Sequence, residues 1–286
     1  MSNAPPPIIA KPSFRSPLRL ALGRSWFVLK RRWHWWFSST PYARTRNAAN
    51  LAYVHATHAT PLLRALPNVD MHLQHNKIAS LKVAAACIDG ITLQPGEVFS
   101  FWRLVGKPSA RRGFKSGMVL RNGKVAADVG GGLCQMTNLI YWMAIHTELT
   151  ITERWRHGFD AFPDVGRTQP FASGATCAYN YIDLQITNRT QNTFQLRVTV
   201  DGTHLHGEWR AQYAPQFSYE VVERNHAMHL QWWGGYSRHN TLMRLKRDAE
   251  TGALHGEEFV AENQAVMMYA PLLASVSSDK LPPSNG

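Results

Sequence analysis

The sequence predicts an α+β fold: a central apolar helix preceded by a Gly-rich turn, packed on a mainly antiparallel sheet, with a C-terminal β-rich extension. Three observations carry this. A run from Leu133 to Thr147, entered through Gly130-Gly131-Gly132, is apolar around most of its circumference, as a helix buried at the centre of a domain must be. From Ile182 onward the apolar period changes to two, in Ile182, Leu184 and Ile186, then Phe194, Leu196, Val198 and Val200, then Leu205 and Trp209. Residues 217–247 add further strand candidates around a bend at Trp232-Trp233-Gly234-Gly235.

With 286 residues, 44% of them hydrophobic, the chain can bury a full core in one large domain or in one domain with an appendage. The expected division is a loose Pro-rich tail over 1–17, a basic and aromatic arm over 18–69, a core domain over 70–212, the β-rich extension over 213–274 and a disordered tail over 275–286. The net charge of +12 belongs mostly to the arm. Nine of the 31 Lys and Arg lie in residues 1–50, where no Asp or Glu occurs.

Within that arm Trp26, Phe27, Trp33, Trp35, Trp36 and Phe37 alternate with Arg24, Lys30, Arg31, Arg32 and His34. Such a helix suits the interface of an anionic membrane, and equally suits packing on the domain with a solvated basic edge. Nucleic-acid binding is the weaker third reading, because no nucleic-acid motif accompanies the charge, and none is expected. No apolar run is long enough for a secretory signal or for the ~18 residues of a membrane span. The expected location is therefore the cytoplasm, with peripheral contact at the inner face of the membrane through residues 18–37.

In the core domain, Asn76 to Cys87 predicts a helix closed by Asp89-Gly90, and Glu97 to Trp102 a strand after the Pro95-Gly96 turn. Asn122-Gly123 predicts a hairpin, Leu149 to Trp155 a strand, and the three alternating segments after Ile182 an antiparallel meander. Cys87, Cys134 and Cys177 are too few and too widely spaced for a disulfide framework.

The glycine turn delivers Cys134 to the start of a helix, where free N–H groups and the helix dipole favour an anion and lower a thiol pKa from ~8.5. A thiolate there is a candidate nucleophile, with neighbouring N–H groups placed to hold an oxyanion. His157, just past the strand that returns from the helix, is the candidate base; His146 lies about three turns away along the helix at ~1.5 Å per residue. On residues alone, Cys134 also reads as an inert buried thiol or as a metal ligand with Cys177. His204 and His206 share a strand face without an evident third ligand. No metal site and no cofactor are expected.

Three blocks, Asn76 to Ala85, Leu93 to Val105 and Asp128 to Leu139 with its Gly-Gly-Gly-Leu-Cys-Gln centre, resemble successive blocks of the VanW family, continued by Phe162-Pro163 and Tyr181-Ile182-Asp183-Leu184. The resemblance covers residues 70 to 212 and is closest to short members without an anchor. It implies a role in the bacterial envelope, peptidoglycan and vancomycin resistance, and for some secreted members a cysteine L,D-transpeptidase activity on stem peptides. Carried over, Cys134 is the acyl-accepting nucleophile and His157 its base, while Gly130, Gly131, Gly132 and Gln135 shape the substrate site. Where many members have Asp before Ala-Thr this chain has Gly174, so Asp160 or Asp164 would have to orient His157. The alternative is a non-catalytic accessory protein that binds cell-wall precursors at the membrane surface.

Overall fold

The computed structural model describes residues 8–13, 15–63, 70–121, 124–161 and 168–269. Helix α1 (Pro17–Phe37) starts where Ser16 accepts a hydrogen bond from Arg19 N, with Pro17 in the first turn, where its missing N–H costs nothing. It touches the body along Val28, Arg31 and Trp35, a helical spacing. Arg31 makes a two-pronged ion pair with Glu153 at 2.6 and 2.7 Å and donates to Tyr181 O. The remaining faces leave Leu18, Leu22, Trp26, Trp33, Trp36 and Phe37 exposed. Among the described residues no helix is long and apolar enough to cross a membrane.

The expected arm is not uniform. Its second half forms strand β1 (Tyr53–Pro61), which enters the central sheet. The tail is pinned too: Ile9 N donates to Gln231 Oε1 and Ile9 O accepts from Trp233 Nε1.

Helix α2 (Met71–Ile88) is capped by Asp70, whose carboxylate accepts from His72 N, and buries Leu81, Ala84, Ala85 and Ile88. After β2 (Thr92–Leu93) comes β3 (Val98–Ser100), and here the strand expected through Trp102 is corrected. The chain turns into a short helix, α3 (Phe101–Val105), because Ser100 Oγ caps Arg103 N while Asp183 accepts from Trp102 N at 2.9 Å and from Ser100 Oγ at 2.6 Å.

Strands β4 (Ser116–Arg121) and β5 (Lys124–Val129) pair as a hairpin; its Asn122-Gly123 turn lies outside the described residues. Next come α4 (Cys134–Ala144), β6 (Thr150–Glu153) and β7 (Phe159–Asp160). The meander expected after Ile182 is only half realised. β8 (Gln185–Thr187) leaves its sequence neighbours and pairs with β3 and β6 in a sheet ordered β3-β8-β6. β9 (Phe194–Val200) and β10 (His204–Ala211) form the expected hairpin, flanked by β2 and β1 in the order β1-β10-β9-β2. A period-two pattern states that a strand has one buried face and does not state its partner.

Helix α4 lies on β1, β10 and β6, burying Met136, Leu139, Ile140, Tyr141 and Met143. Gly207 on β10 permits this approach, since a Cβ there would meet Met143 Cε at 2.5 Å. The C-terminal strands β11 (Phe217–Leu230), β12 (Tyr236–Asp248) and β13 (Leu254–Met267) form a long antiparallel sheet, to which β7 adds in parallel along β13.

Burial pushes the Asp183 carboxyl up to about 7, against the hydrogen bonds of Ser100 and Trp102 N. A folded-state pKa above the unfolded one means that the native protein holds the extra proton. The contribution is thus complete below the unfolded value of about 4 and is lost as pH rises through about 7. Asp183→Asn is expected to flatten urea-unfolding stability between about pH 4 and pH 8 by on the order of 3 kcal/mol relative to wild type. An unchanged pH slope would show that Asp183 is ionised throughout.

Candidate functional site

Strand β5 ends in the triple glycine, and each glycine answers to a neighbour. Gly130 and Gly132 have φ of +79° and +87°, a region that side chains disfavour. A Cβ on Gly131 would lie 2.1 Å from Gly117 O, and one on Gly132 would lie 2.3 Å from Lys77 Cγ. The turn therefore packs backbone to backbone on β4 and against α2, and its exit places Cys134 as the first residue of α4.

The turn also commits some of the N–H groups that an oxyanion would use. Gln135 N donates to Gly132 O and Met136 N to Leu133 O. The Gln135 side chain points to β1, donating from Nε2 to Thr60 Oγ1 and Pro61 O, both at 2.9 Å. Gln135 thus fastens the start of α4 to β1.

Cys134 is half-buried, with Sγ 3.3 Å from Thr176 Oγ1, 3.8 Å from Cys177 O and 4.0 Å from Cys177 Sγ. All three cysteines are free thiols. The hydrogen bond from the Cys177 thiol is the foremost influence holding the Cys134 thiol well below the usual range; burial opposes it, and His157 and the Thr176 hydroxyl reinforce it. Burial, then the hydrogen bond and charge of Cys134, push the Cys177 thiol well above that range. The two thiols are therefore biased in opposite directions, Cys134 toward the thiolate and Cys177 toward the protonated form.

The segment carrying His157 is set beside the Cys134 site by a bridge two residues before the histidine. Thr176 N donates to Trp155 O at 2.8 Å, an antiparallel bridge that ties the segment after β6 to the one carrying Thr176 and Cys177. Arg154 fastens the same loop by donating to Ala172 O, Gly174 O and Asn263 Oδ1 while lying over the Tyr141 ring. Beyond His157, Gly158 O accepts from Val266 N as β7 joins β13. The C-terminal sheet thus anchors the histidine segment. His157 itself is exposed, so the site is open on its side.

Gly174 has a local cause. A Cβ there would lie 2.4 Å from Asn138 Oδ1, which accepts from Ala175 N at 2.7 Å. An aspartate at 174 is incompatible with Asn138 as it stands. Of the two substitutes, Asp160 is buried and receives Tyr269 Oη at 2.8 Å and Arg238 Nη1 at 3.4 Å. Asp164, like Phe162-Pro163, lies outside the described residues.

Sequence reading gave no site role to Thr176 and placed Cys177 with Cys134 only as a metal ligand. Their signal was the Ala-Thr-Cys segment itself; 43 residues separate the two cysteines, and the gap is closed where Thr137 Oγ1 donates to Ala175 O and Asn138 Oδ1 accepts from Ala175 N. It also missed the third member at the β9–β10 turn, where ligand atoms of Asp201, His204 and His206 lie within 4.8 Å of one another. Asp201 already accepts from Thr203 N, His204 N and His206 Nε2. His146 is remote as expected, its Nδ1 2.7 Å from Trp142 O.

A family model described as VanW-like protein matches residues 76–210, from α2 to β10. Vancomycin B-type resistance protein VanW of Enterococcus faecalis (strain ATCC 700802 / V583) is 32% identical over 263 residues, 92% of this chain and 94% of that protein. The chain belongs to the VanW family. Uncharacterized protein YoaR of Bacillus subtilis (strain 168) is 31% identical over 78 residues, 27% of this chain and 26% of that one. No solved structure gives a significant match. The VanW family model spans Cys134, His157 and Cys177, while the longer match also takes in segments outside it, up to the C-terminal sheet that anchors β7.

Proposed function

We infer that this VanW-family protein acts in bacterial cell-wall biology linked to glycopeptide resistance, transferring or hydrolysing acyl groups of peptidoglycan stem peptides through a thioester on Cys134. The family membership supports the coarser half, and the observation that carries the finer half is the Cys134 thiol, held toward the thiolate by Cys177, His157 and Thr176 at the start of α4. Cys134 Sγ attacks the carbonyl carbon of a stem-peptide amide, and the tetrahedral intermediate expels the amine, which takes its proton from His157. His157 then accepts a proton from an incoming amine or water that displaces the thioester, restoring the thiol site. A groove of about 490 Å³ lined by Arg154, Trp155, Arg156, Gly158, Glu262 and Val266 adjoins His157. Arg154 is committed to Ala172 O, Gly174 O and Asn263 Oδ1, so Arg156, beside Glu262, is the guanidinium left for a substrate carboxylate.

Helix α1 supports a membrane-linked substrate: its exposed tryptophans and leucines, interleaved with cations and free of acidic residues, fit an anionic lipid surface. Full-length protein incubated with a stem tetrapeptide is expected to show the acyl mass on Cys134 by intact-mass spectrometry, absent in Cys134→Ser. Lipid-linked precursor in phosphatidylglycerol vesicles should react faster than free peptide, and Trp33→Ser/Trp36→Ser should remove only that advantage. If neither substrate acylates a Cys134 that iodoacetamide still labels, the catalytic reading fails and precursor binding without chemistry takes its place.

A further inference from the structure

The acyl-transfer chemistry uses Cys177 as a hydrogen-bonding neighbour of Cys134 and leaves the reactivity of the Cys177 sulfur itself unused. We propose that Cys134 and Cys177 form an oxidative modification site, in which Cys134 reacts with a peroxide and Cys177 resolves the product to an intramolecular disulfide that dithiols reverse.

Three features of the geometry support this. The two sulfurs are 4.0 Å apart, within hydrogen-bonding reach for sulfur, and both are free. Closing that distance to the ~2.05 Å of a disulfide needs a shift of about 2 Å. Cys177 lies outside the helices and strands, on a segment joined to its surroundings by the isolated bridges Trp155–Thr176 and Ala178–Ile182, whereas Cys134 is fixed at the head of α4. Ala175 is also tied to α4, accepting from Thr137 Oγ1 at 2.6 Å and donating to Asn138 Oδ1 at 2.7 Å, so the shift falls to rotation of the cysteine side chains. Cys134 and Cys177 are each partly exposed, which leaves an approach for a small peroxide. The third cysteine, Cys87 on α2, has Arg112 Nη2 as its neighbour at 3.5 Å and is not part of the pair.

The reaction balances in two steps. The Cys134 thiolate attacks one peroxide oxygen, the O–O bond breaks, and hydroxide leaves, giving Cys134–SOH. The Cys177 sulfur attacks the Cys134 sulfur, the S–O bond breaks, and the hydroxyl leaves as water with the Cys177 proton. Two thiols lose two electrons and the peroxide gains them. An added dithiol returns both electrons by exchange through a mixed disulfide. A peptide amide plays no part, so the modification stands whether or not the acyl-transfer reading holds.

The test uses the folded full-length chain, fully reduced and then exposed to a slight excess of hydrogen peroxide, with Cys87→Ser as the background variant. The expected result is a loss of 2 Da in intact mass, loss of both remaining alkylatable thiols together, a Cys134–Cys177 cross-linked peptide, and full recovery with dithiothreitol. In Cys177→Ser the same dose should instead yield a Cys134 sulfenic acid that dimedone traps, followed by irreversible gains of oxygen. Circular dichroism identifies a Cys177→Ser chain that has not folded, in which case Cys177→Ala supplies the comparison. Sulfinic acid on Cys134 in the Cys87→Ser protein, a disulfide between two chains, or no reaction of either thiol would each overturn the proposal. Retention of both thiols by a tightly bound zinc ion, released only by a chelator, would overturn it as well.

Discussion

Iodoacetamide is expected to alkylate Cys134 with an apparent pKa well below the ~8.5 of an ordinary thiol, and His157→Ala to slow the reaction about tenfold at pH values below the midpoint. The sign follows from which form reacts. The thiolate is the nucleophile, so reactivity is full above the depressed pKa and disappears as pH falls through it. Removing a group that favours the thiolate moves that midpoint upward. The Cys177 hydrogen bond is the foremost single influence, so Cys177→Ala should raise the midpoint as well. Cys134→Ser removes the labelled peptide and assigns the signal, and in a turnover assay it should cost at least about a thousandfold in rate. A midpoint in the ordinary thiol range for the unmodified chain, indifferent to both neighbours, would show that the arrangement does not activate Cys134.

The second large effect is on stability. Gly131→Ala should destabilise the chain by about 3 kcal/mol or more, read as a fall in the urea midpoint at constant slope. The new methyl would lie 2.1 Å from Gly117 O, and the contact is reciprocal, since a Cβ on Gly117 would lie 2.4 Å from Gly131 O. These are backbone atoms on both sides, so relief requires the turn and β4 to part, and with them the start of α4. Gly256→Ala, where nothing lies within 4 Å of the new Cβ, is the control and should change stability by no more than about 0.5 kcal/mol. Equal midpoints for the two variants would mean that the turn has room the structure does not show.

These two results address different readings of the same glycines. Sequence reasoning assigned Gly130, Gly131 and Gly132 to a substrate site, because glycine-rich turns bring backbone close to ligands. The structure shows them bringing backbone close to Gly117, Pro108 and Lys77, and any substrate contact rests with the proposed function. Gln135 is similar: a polar side chain beside a candidate nucleophile reads as an orienting group, but its amide is held by Thr60 and Pro61 on β1. Nothing in a sequence distinguishes a polar group facing a cleft from one fastening two elements.

The α+β class, the two main helices, the β9–β10 hairpin, the C-terminal strands and the position of Cys134 at a helix start were legible from sequence alone, because each depends on local signals. Glycines, caps and the apolar period act over one to three turns of helix or a few residues of strand. Partner choice was not. β8 joined β3 and β6 because Asp183 and Ser100 hold those segments together, β1 came out of an unremarkable polar stretch to cover the edge of β10, and β7 was recruited by β13 from over a hundred residues away. The site follows the same division. Cys134 and His157 were singled out by local chemistry, whereas Thr176 and Cys177 come beside Cys134 through contacts far apart in sequence, Thr137 and Asn138 of α4 with Ala175 and Trp155 with Thr176, and Arg154 fixes that loop from the end of β6. Local backbone preferences are written in neighbouring residues; which distant surfaces meet is decided by the burial of the whole core, and that exists only in the folded chain.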